Sequence, residues 1–253
     1  MRKYLLSAAL AAALIAPNAA LAQSGHVDVS YGNHTYDFGG PEFEADVANI
    51  GGQVAFGELP LGVQIDGRYA NWGGDADDVG VWGLGVHIYK RSPSWLIGGY
   101  VGYDDADDFN IASWTGAIEA QFYLSRATVS GILSYSEQET QGYAITLLEG
   151  EYRYFVTDNF SIQGGAGFGQ GNISTSDPNV WSAQIGAEYQ FADAPISVFG
   201  EYRYGLVDFD PGEIETNTFS IGVRYNWGGS LIDRNRRGAG LNRIIPVFER
   251  FIT

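Results

Sequence analysis

Carboxylate and guanidinium side chains recur at alternate positions along the chain: Asp66 with Arg68, Glu151 with Arg153, and Glu201 with Arg203, joined by Asp28, Glu119, Glu188 and Arg224. On an extended strand, residues two apart share one face. Opposite charges at that spacing therefore sit side by side, and Gln53, Gln121 and Gln163 fall in the same phase. Two kinds of chemistry suit such a face. The groups can pair with one another as a salt-bridge network that replaces an apolar core. Alternatively they can line a narrow aqueous constriction and set which ions pass, as charged rings do in channels.

A second set of carboxylates is clustered rather than alternating. Asp75, Asp77 and Asp78 form one group and Asp104, Asp105, Asp107 and Asp108 another, with Asp-Ala-Asp-Asp occurring in both. Closely spaced oxygen ligands suit Ca²⁺ or Mg²⁺. The Gly and distal Glu of an EF-hand are missing, so the plainer reading is a pair of solvated loops that concentrate cations without a defined site. No other cofactor is expected. The glycines Gly164, Gly165, Gly167 and Gly169 lie within a strand and do not form a phosphate loop.

The elements that position these groups are strands. In Trp181–Phe191 apolar residues occupy odd positions and polar or small ones even positions, and the same alternation marks Leu61-Val63-Ile65, Trp114-Ile118-Phe122 and Phe219–Trp227. We count twelve such segments. Phe56, Tyr89, Tyr123, Phe155, Phe191 and Trp227 end six of them at intervals of 32 to 36 residues, and the first five are followed by tight turns. The alternate connections are longer and acidic. Short turns on one side, longer loops on the other and strands of about eleven to fourteen residues describe a membrane-spanning barrel, whose backbone must close on itself in lipid. The predicted fold is an all-β, antiparallel up-and-down transmembrane barrel of about twelve strands. Closure would bring Asp28 beside Arg224. Because His26–Tyr36 and Glu44–Phe56 alternate less cleanly, ten strands with a peripheral N-terminal hairpin is the alternative count. The six-residue aromatic ladder is expected to form one interfacial girdle, and Tyr103, Trp114, Tyr135 and Trp181 the other.

Arg2 and Lys3 precede an apolar run from Leu5 to Ile15 and then Ala20-Leu21-Ala22, so residues 1–22 read as a cleaved signal peptide. Residues 23–227 form the barrel domain and 228–253 a basic periplasmic tail. The barrel domain holds 28 acidic residues against seven Lys and Arg, a net charge of −21. Nucleic acid is thereby disfavoured as a partner, since phosphate binding needs clustered Lys and Arg. The chain has no cysteine, which excludes disulfides and thiolate chemistry.

The last strand contains Ser220-Ile221-Gly222-Val223-Arg224-Tyr225-Asn226-Trp227, which resembles the terminal assembly signal of Gram-negative outer-membrane β-barrel proteins. Ser220, Gly222, Tyr225 and Trp227 fill its fixed positions. The resemblance implies an integral outer-membrane location and recognition by the barrel assembly machinery. Family members commonly end at the final aromatic, whereas this chain continues to Thr253. In that tail Leu241, Ile244, Ile245 and Phe248 have helical spacing interrupted by Pro246, and the segment reads as disordered, or as a docking segment or partial plug. The expected function is a porin-like channel for passive diffusion of small hydrophilic solutes or cations. The alternative is a closed structural or surface-interaction barrel with a salt-bridged lumen, its acidic loops binding cations or lipopolysaccharide. No enzyme is expected: His26, His34 and His87 each stand alone, and His87 lacks the His-x-Ser spacing of the outer-membrane phospholipases.

Overall fold

The structure is a computed structural model that describes residues 24–40, 42–57, 60–74, 79–106, 111–139, 142–172, 176–209 and 212–245. The leader 1–22 lies outside them, as do Asp75, Asp77, Asp78, Asp107 and Asp108. Twelve antiparallel strands follow one another: β1 (Ser24–Asp37), β2 (Phe43–Phe56), β3 (Leu61–Gly74), β4 (Val79–Arg91), β5 (Trp95–Ala106), β6 (Ile111–Tyr123), β7 (Ala127–Gln138), β8 (Tyr143–Thr157), β9 (Phe160–Asn172), β10 (Asn179–Gln190), β11 (Ile196–Asp208) and β12 (Glu213–Trp227). Each pairs with its neighbours in sequence, and β1 pairs with β12 to close the barrel. The N-terminal hairpin is part of the wall, which removes the ten-strand alternative. At the seam Asp28 stands opposite Arg224 in register.

The alternation dictates the two faces. Outward positions carry exposed apolar side chains, such as Val86 and Ile88 on β4, Ile118 and Phe122 on β6, and Ile221, Val223 and Tyr225 on β12. In a soluble protein this continuous apolar surface would be a liability; in a membrane it is the lipid contact. Trp114 and Trp181 are exposed near the loop end and each packs against a cross-strand aromatic, Tyr103 at 4.7 Å and Phe168 at 4.5 Å between ring centres. No helix of the described residues is long and apolar enough to cross a membrane.

Only part of the aromatic ladder lies in the girdle expected of it: Phe191 is exposed on the outer face and Trp227 packs beside outward Tyr225. Tyr89, Tyr123 and Phe155 are buried inside the barrel, with Phe155 fully inaccessible. Phase explains this: Tyr89 lies two residues beyond inward-facing His87, and Phe155 two beyond Arg153, so each shares that inner face. At the turn end the outward ring is completed by Phe122, Tyr154, Tyr189 and Tyr225.

What the inward aromatics support is the chain beyond β12. Gly228 and Gly229 take φ of 95° and 108°, in the left-handed region that favours glycine, and turn the chain back toward the barrel axis. A short helix, α1 (Leu231–Arg237), follows. Ser230 caps it: its hydroxyl accepts from the Asp233 amide at 3.2 Å, and the Asp233 carboxylate accepts in return from the Ser230 amide at 3.3 Å. The helical spacing of Leu241, Ile244 and Ile245 produces no helix. Residues 238–245 run without regular structure along the barrel interior, where Leu241 joins Tyr89, Leu96 and Tyr123 in a buried apolar cluster.

Candidate functional site

The interior is charged. Asp28, Asp66, Arg68, Glu119, Glu151, Arg153, Glu188, Glu201, Arg203 and Arg224 all line one cavity of about 370 Å³, and Gln53, Gln121 and Gln163 line it with them. Their strands place them by simple alternation, and most of them are paired. Arg224 bridges the seam, 3.3 Å from Asp28 and 2.6 Å from Glu188. Its guanidinium also lies over the Phe199 ring at 4.6 Å. Ser197 donates its hydroxyl to Glu188 at 2.6 Å. Glu151 and Arg153 pair along β8 at 3.3 Å, and Glu201 pairs with Arg203 along β11.

The inward set read from the sequence leaves out His26, a lumen group 3.1 Å from Asp28, and three more. Glu149 lines the cavity two residues before Glu151, a position the alternation already marked. Asp104, read as a loop residue, is buried within β5, which continues to Ala106; Arg243 pairs with it and Arg68 approaches at 3.9 Å. The third is His87. It is not alone: its Nε2 is 2.6 Å from Asp66 Oδ2 and its Nδ1 is 2.8 Å from Glu119 Oε1, all three side chains being buried. A neutral imidazole carries one N–H, so two such contacts need one proton more than a neutral ring between two carboxylates supplies. Pairing of β3 with β4 sets His87 opposite Gln64, with Asp66 two residues along the same face, but Glu119 reaches the ring from β6, beyond the intervening β5, a contact that strand order does not show.

The C-terminal segment enters at the turn end and crosses this interior. Near the entrance Thr128 donates to Asn235 at 2.6 Å, Arg91 donates to the Gly238 carbonyl at 3.0 Å, and the Ala239 amide donates to Ser24 at 3.2 Å. Further in, the Gln64 amide group clasps Leu241 from both sides of its peptide, donating to its carbonyl at 2.9 Å and accepting from its N–H at 3.2 Å. Asn242 reaches across to β8, donating to Glu151 at 2.8 Å and accepting from Arg153 at 3.0 Å. Arg243 meets Asp104, and Tyr100 donates to the Ile244 carbonyl at 3.4 Å. From the α1 end, Arg234 lies 3.5 Å from Glu188. Gly83 makes room for this arrangement: a Cβ there would fall 2.1 Å from the Arg243 guanidinium.

Of the two acidic clusters only Asp104 and Asp105 lie in described residues. Consecutive on one strand, they face opposite sides: Asp104 is inside, while Asp105 accepts from the outward Tyr103 hydroxyl at 2.8 Å. No group of three or more candidate metal ligands occurs among the described residues. Within the assembly-signal pattern Ser220 lines the cavity, Gly222 lies beneath the Phe199 ring, and Tyr225 is exposed on the outer face beside Trp227.

A closed twelve-stranded barrel with an apolar exterior and a charged interior is an integral outer-membrane protein by architecture. The chain belongs to the outer membrane protein beta-barrel domain family, whose model matches residues 83–226. No curated protein sequence matches the chain. Among solved structures it is similar to the NanC porin, with a TM-score of 0.57 at 12% identity over 79% of this chain and 98% of that one. The KdgM porin in complex with disordered oligogalacturonate gives 0.52 at 8% identity over 79% and 99%. The CymD monoaromatic hydrocarbon channel gives 0.52 at 10% over 81% and 89%. At these identities the similarity is one of fold.

Proposed function

We propose that the protein is a narrow outer-membrane channel through which small hydrophilic solutes and cations diffuse passively, and that it has no enzymatic role. The observation that carries this is the polar and charged cavity that persists beside the C-terminal segment, lined by the belt from Asp28 to Arg224. A barrel whose interior served only as a core would be filled by side chains, as eight-stranded barrels are. Twelve strands leave a wider interior, and here a chain segment occupies one side of it. The channel and porin structures of similar fold support the reading. The residues of the belt act as the selectivity lining, the acidic loops gather cations at the mouth, and the turn end faces the periplasm. Ser220, Gly222, Tyr225 and Trp227 serve recognition by the barrel assembly machinery, and the exterior contacts outer-membrane lipid and lipopolysaccharide.

The closed structural barrel has one observation in its favour, the C-terminal segment itself, which fills part of the lumen and ties β1 to β8 and β10 through ion pairs and hydrogen bonds. Reconstitution of the full chain in planar bilayers separates the two. Discrete conductance steps with a cation preference support the channel; a folded, inserted barrel that passes no current supports the closed barrel.

A further inference from the structure

We infer that the C-terminal segment from Leu231 to Ile245 is a fixed inner wall of the permeation path, and that its Arg234 and Arg243 set the ion preference of that path. This rests on the channel reading above. The placement of the segment's bonds carries it first. Residues 240 to 244 hold Gln121 of β6, Gln64 of β3, Asp104 and Tyr100 of β5, and the Gly83 carbonyl of β4, so they lie along the β3–β6 side of the barrel. Only Asn242 crosses toward β8. The cavity is lined on its other sides by residues of β7 to β12, β1 and β2, while Asp66 and Arg68 of β3 and Glu119 and Gln121 of β6 line it beside the segment. A permeating ion therefore travels with the barrel wall on one side and the C-terminal segment on the other, and Asn242, which is exposed, faces that route.

Charge carries it second. Among the described residues, the inward face of the barrel presents eight carboxylates, namely Asp28, Asp66, Asp104, Glu119, Glu149, Glu151, Glu188 and Glu201, against five arginines, an excess of three negative charges apart from the histidines. The two arginines that the segment inserts reduce that excess to one, and the additional proton shared by His87, Asp66 and Glu119 offsets the last, leaving the acidic mouth to supply a weak cation preference. Each arginine lies against a carboxylate, Arg243 at Asp104 and Arg234 at Glu188. Had the chain ended at Trp227, the lumen would be wider and more acidic. The segment thus tunes the barrel from strongly to weakly cation-selective while narrowing it.

The test uses the full chain in planar bilayers, with reversal potentials measured across a KCl gradient. Arg243→Gln and Arg234→Gln are each expected to raise the K⁺ over Cl⁻ permeability ratio about threefold, the factor that one unit charge a few ångström from the ion's path exerts through water. Arg243→Lys should stay near wild type. Asn242→Cys alters no charge, and because the chain has no cysteine it offers a single labelling site. A cationic thiosulfonate reagent added to the inserted channel should cut conductance and lower the permeability ratio, and an anionic one should cut conductance and raise it. A conducting wild type whose selectivity ignores the arginine substitutions, or an Asn242→Cys channel that ignores both reagents, overturns the inference while leaving the channel reading intact. Absence of wild-type conductance overturns the channel reading, and the inference with it.

Discussion

Glu188 is the hub of the seam network, and its neutralisation offers the sharpest test of whether that network works as a core. Arg224 Nη1 lies 2.6 Å from one of its oxygens, Ser197 donates to the other at 2.6 Å, and Arg234 approaches at 3.5 Å. Glu188→Gln keeps the shape and one good acceptor but removes the charge that faces two guanidinium groups. Breaking a fully buried pair by removing one partner costs about 3–5 kcal/mol. Here the Glu188 side chain keeps 15% of its exposure, and Arg224 retains Asp28 at 3.3 Å. We therefore expect a loss of about 2–3 kcal/mol, in keeping with one or two hydrogen bonds to charged groups. Glu201→Gln is the internal control. Its partner Arg203 is 36% exposed and adjacent on the same face, so about 0–1 kcal/mol is expected. Urea-induced unfolding in lipid vesicles, followed by tryptophan fluorescence, measures both. Equal shifts for the two variants, or a larger shift for Glu201→Gln, would refute the idea that the seam network substitutes for an apolar core.

His87→Ala leaves Asp66 and Glu119 buried without their shared partner, so a loss of about 3–5 kcal/mol is expected in the same unfolding assay; adding Asp66→Asn and Glu119→Gln should recover part of it, and no recovery would mean the imidazole acts by packing alone. At the start of α1, the Ser230 hydroxyl beside Asp233 holds that carboxyl below its ordinary value. A depressed carboxyl adds stability above the unfolded aspartate value of about 3.9 and loses it as pH falls through the folded value. Protection of the α1 amides against hydrogen exchange, taken relative to the intrinsic rate at each pH, should therefore fall below about pH 4. Ser230→Ala should quicken exchange at neutral pH about fivefold, matching a cap worth about 1 kcal/mol, and unchanged exchange would show that packing alone holds the helix.

The barrel was legible because membrane strands obey one rule for their whole length. Alternation assigned the inward set from Asp28 to Arg224, and closure followed from the need to pair every backbone group in lipid. The Asp28 and Arg224 pairing required nothing more than strand order. The failures share a cause as well. Tyr89 and Phe155 were read by residue type, as girdle aromatics, when their phase with His87 and Arg153 already placed them inside. At Tyr89, and at Tyr123 beside it, something apolar meets the ring inside: Leu241 packs on both. That partner is more than a hundred residues away, beyond the strand pattern, in a segment whose composition reads as a disordered tail, with a docking segment or partial plug as the alternative. Asp104 misled for the same reason. Its acidic neighbours suggest a loop, and its counterion, Arg243, comes from the far end of the chain inside the barrel. Strand phase is a local signal; which distant segment fills a barrel is not.

The central claim is that a charged passage remains open beside the C-terminal segment. Single-channel recording of the purified, full-length protein in planar bilayers tests it most directly. Small, discrete conductance steps with a modest preference for K⁺ over Cl⁻ are expected. A folded and inserted barrel that gives no steps, or steps that favour Cl⁻, would contradict it.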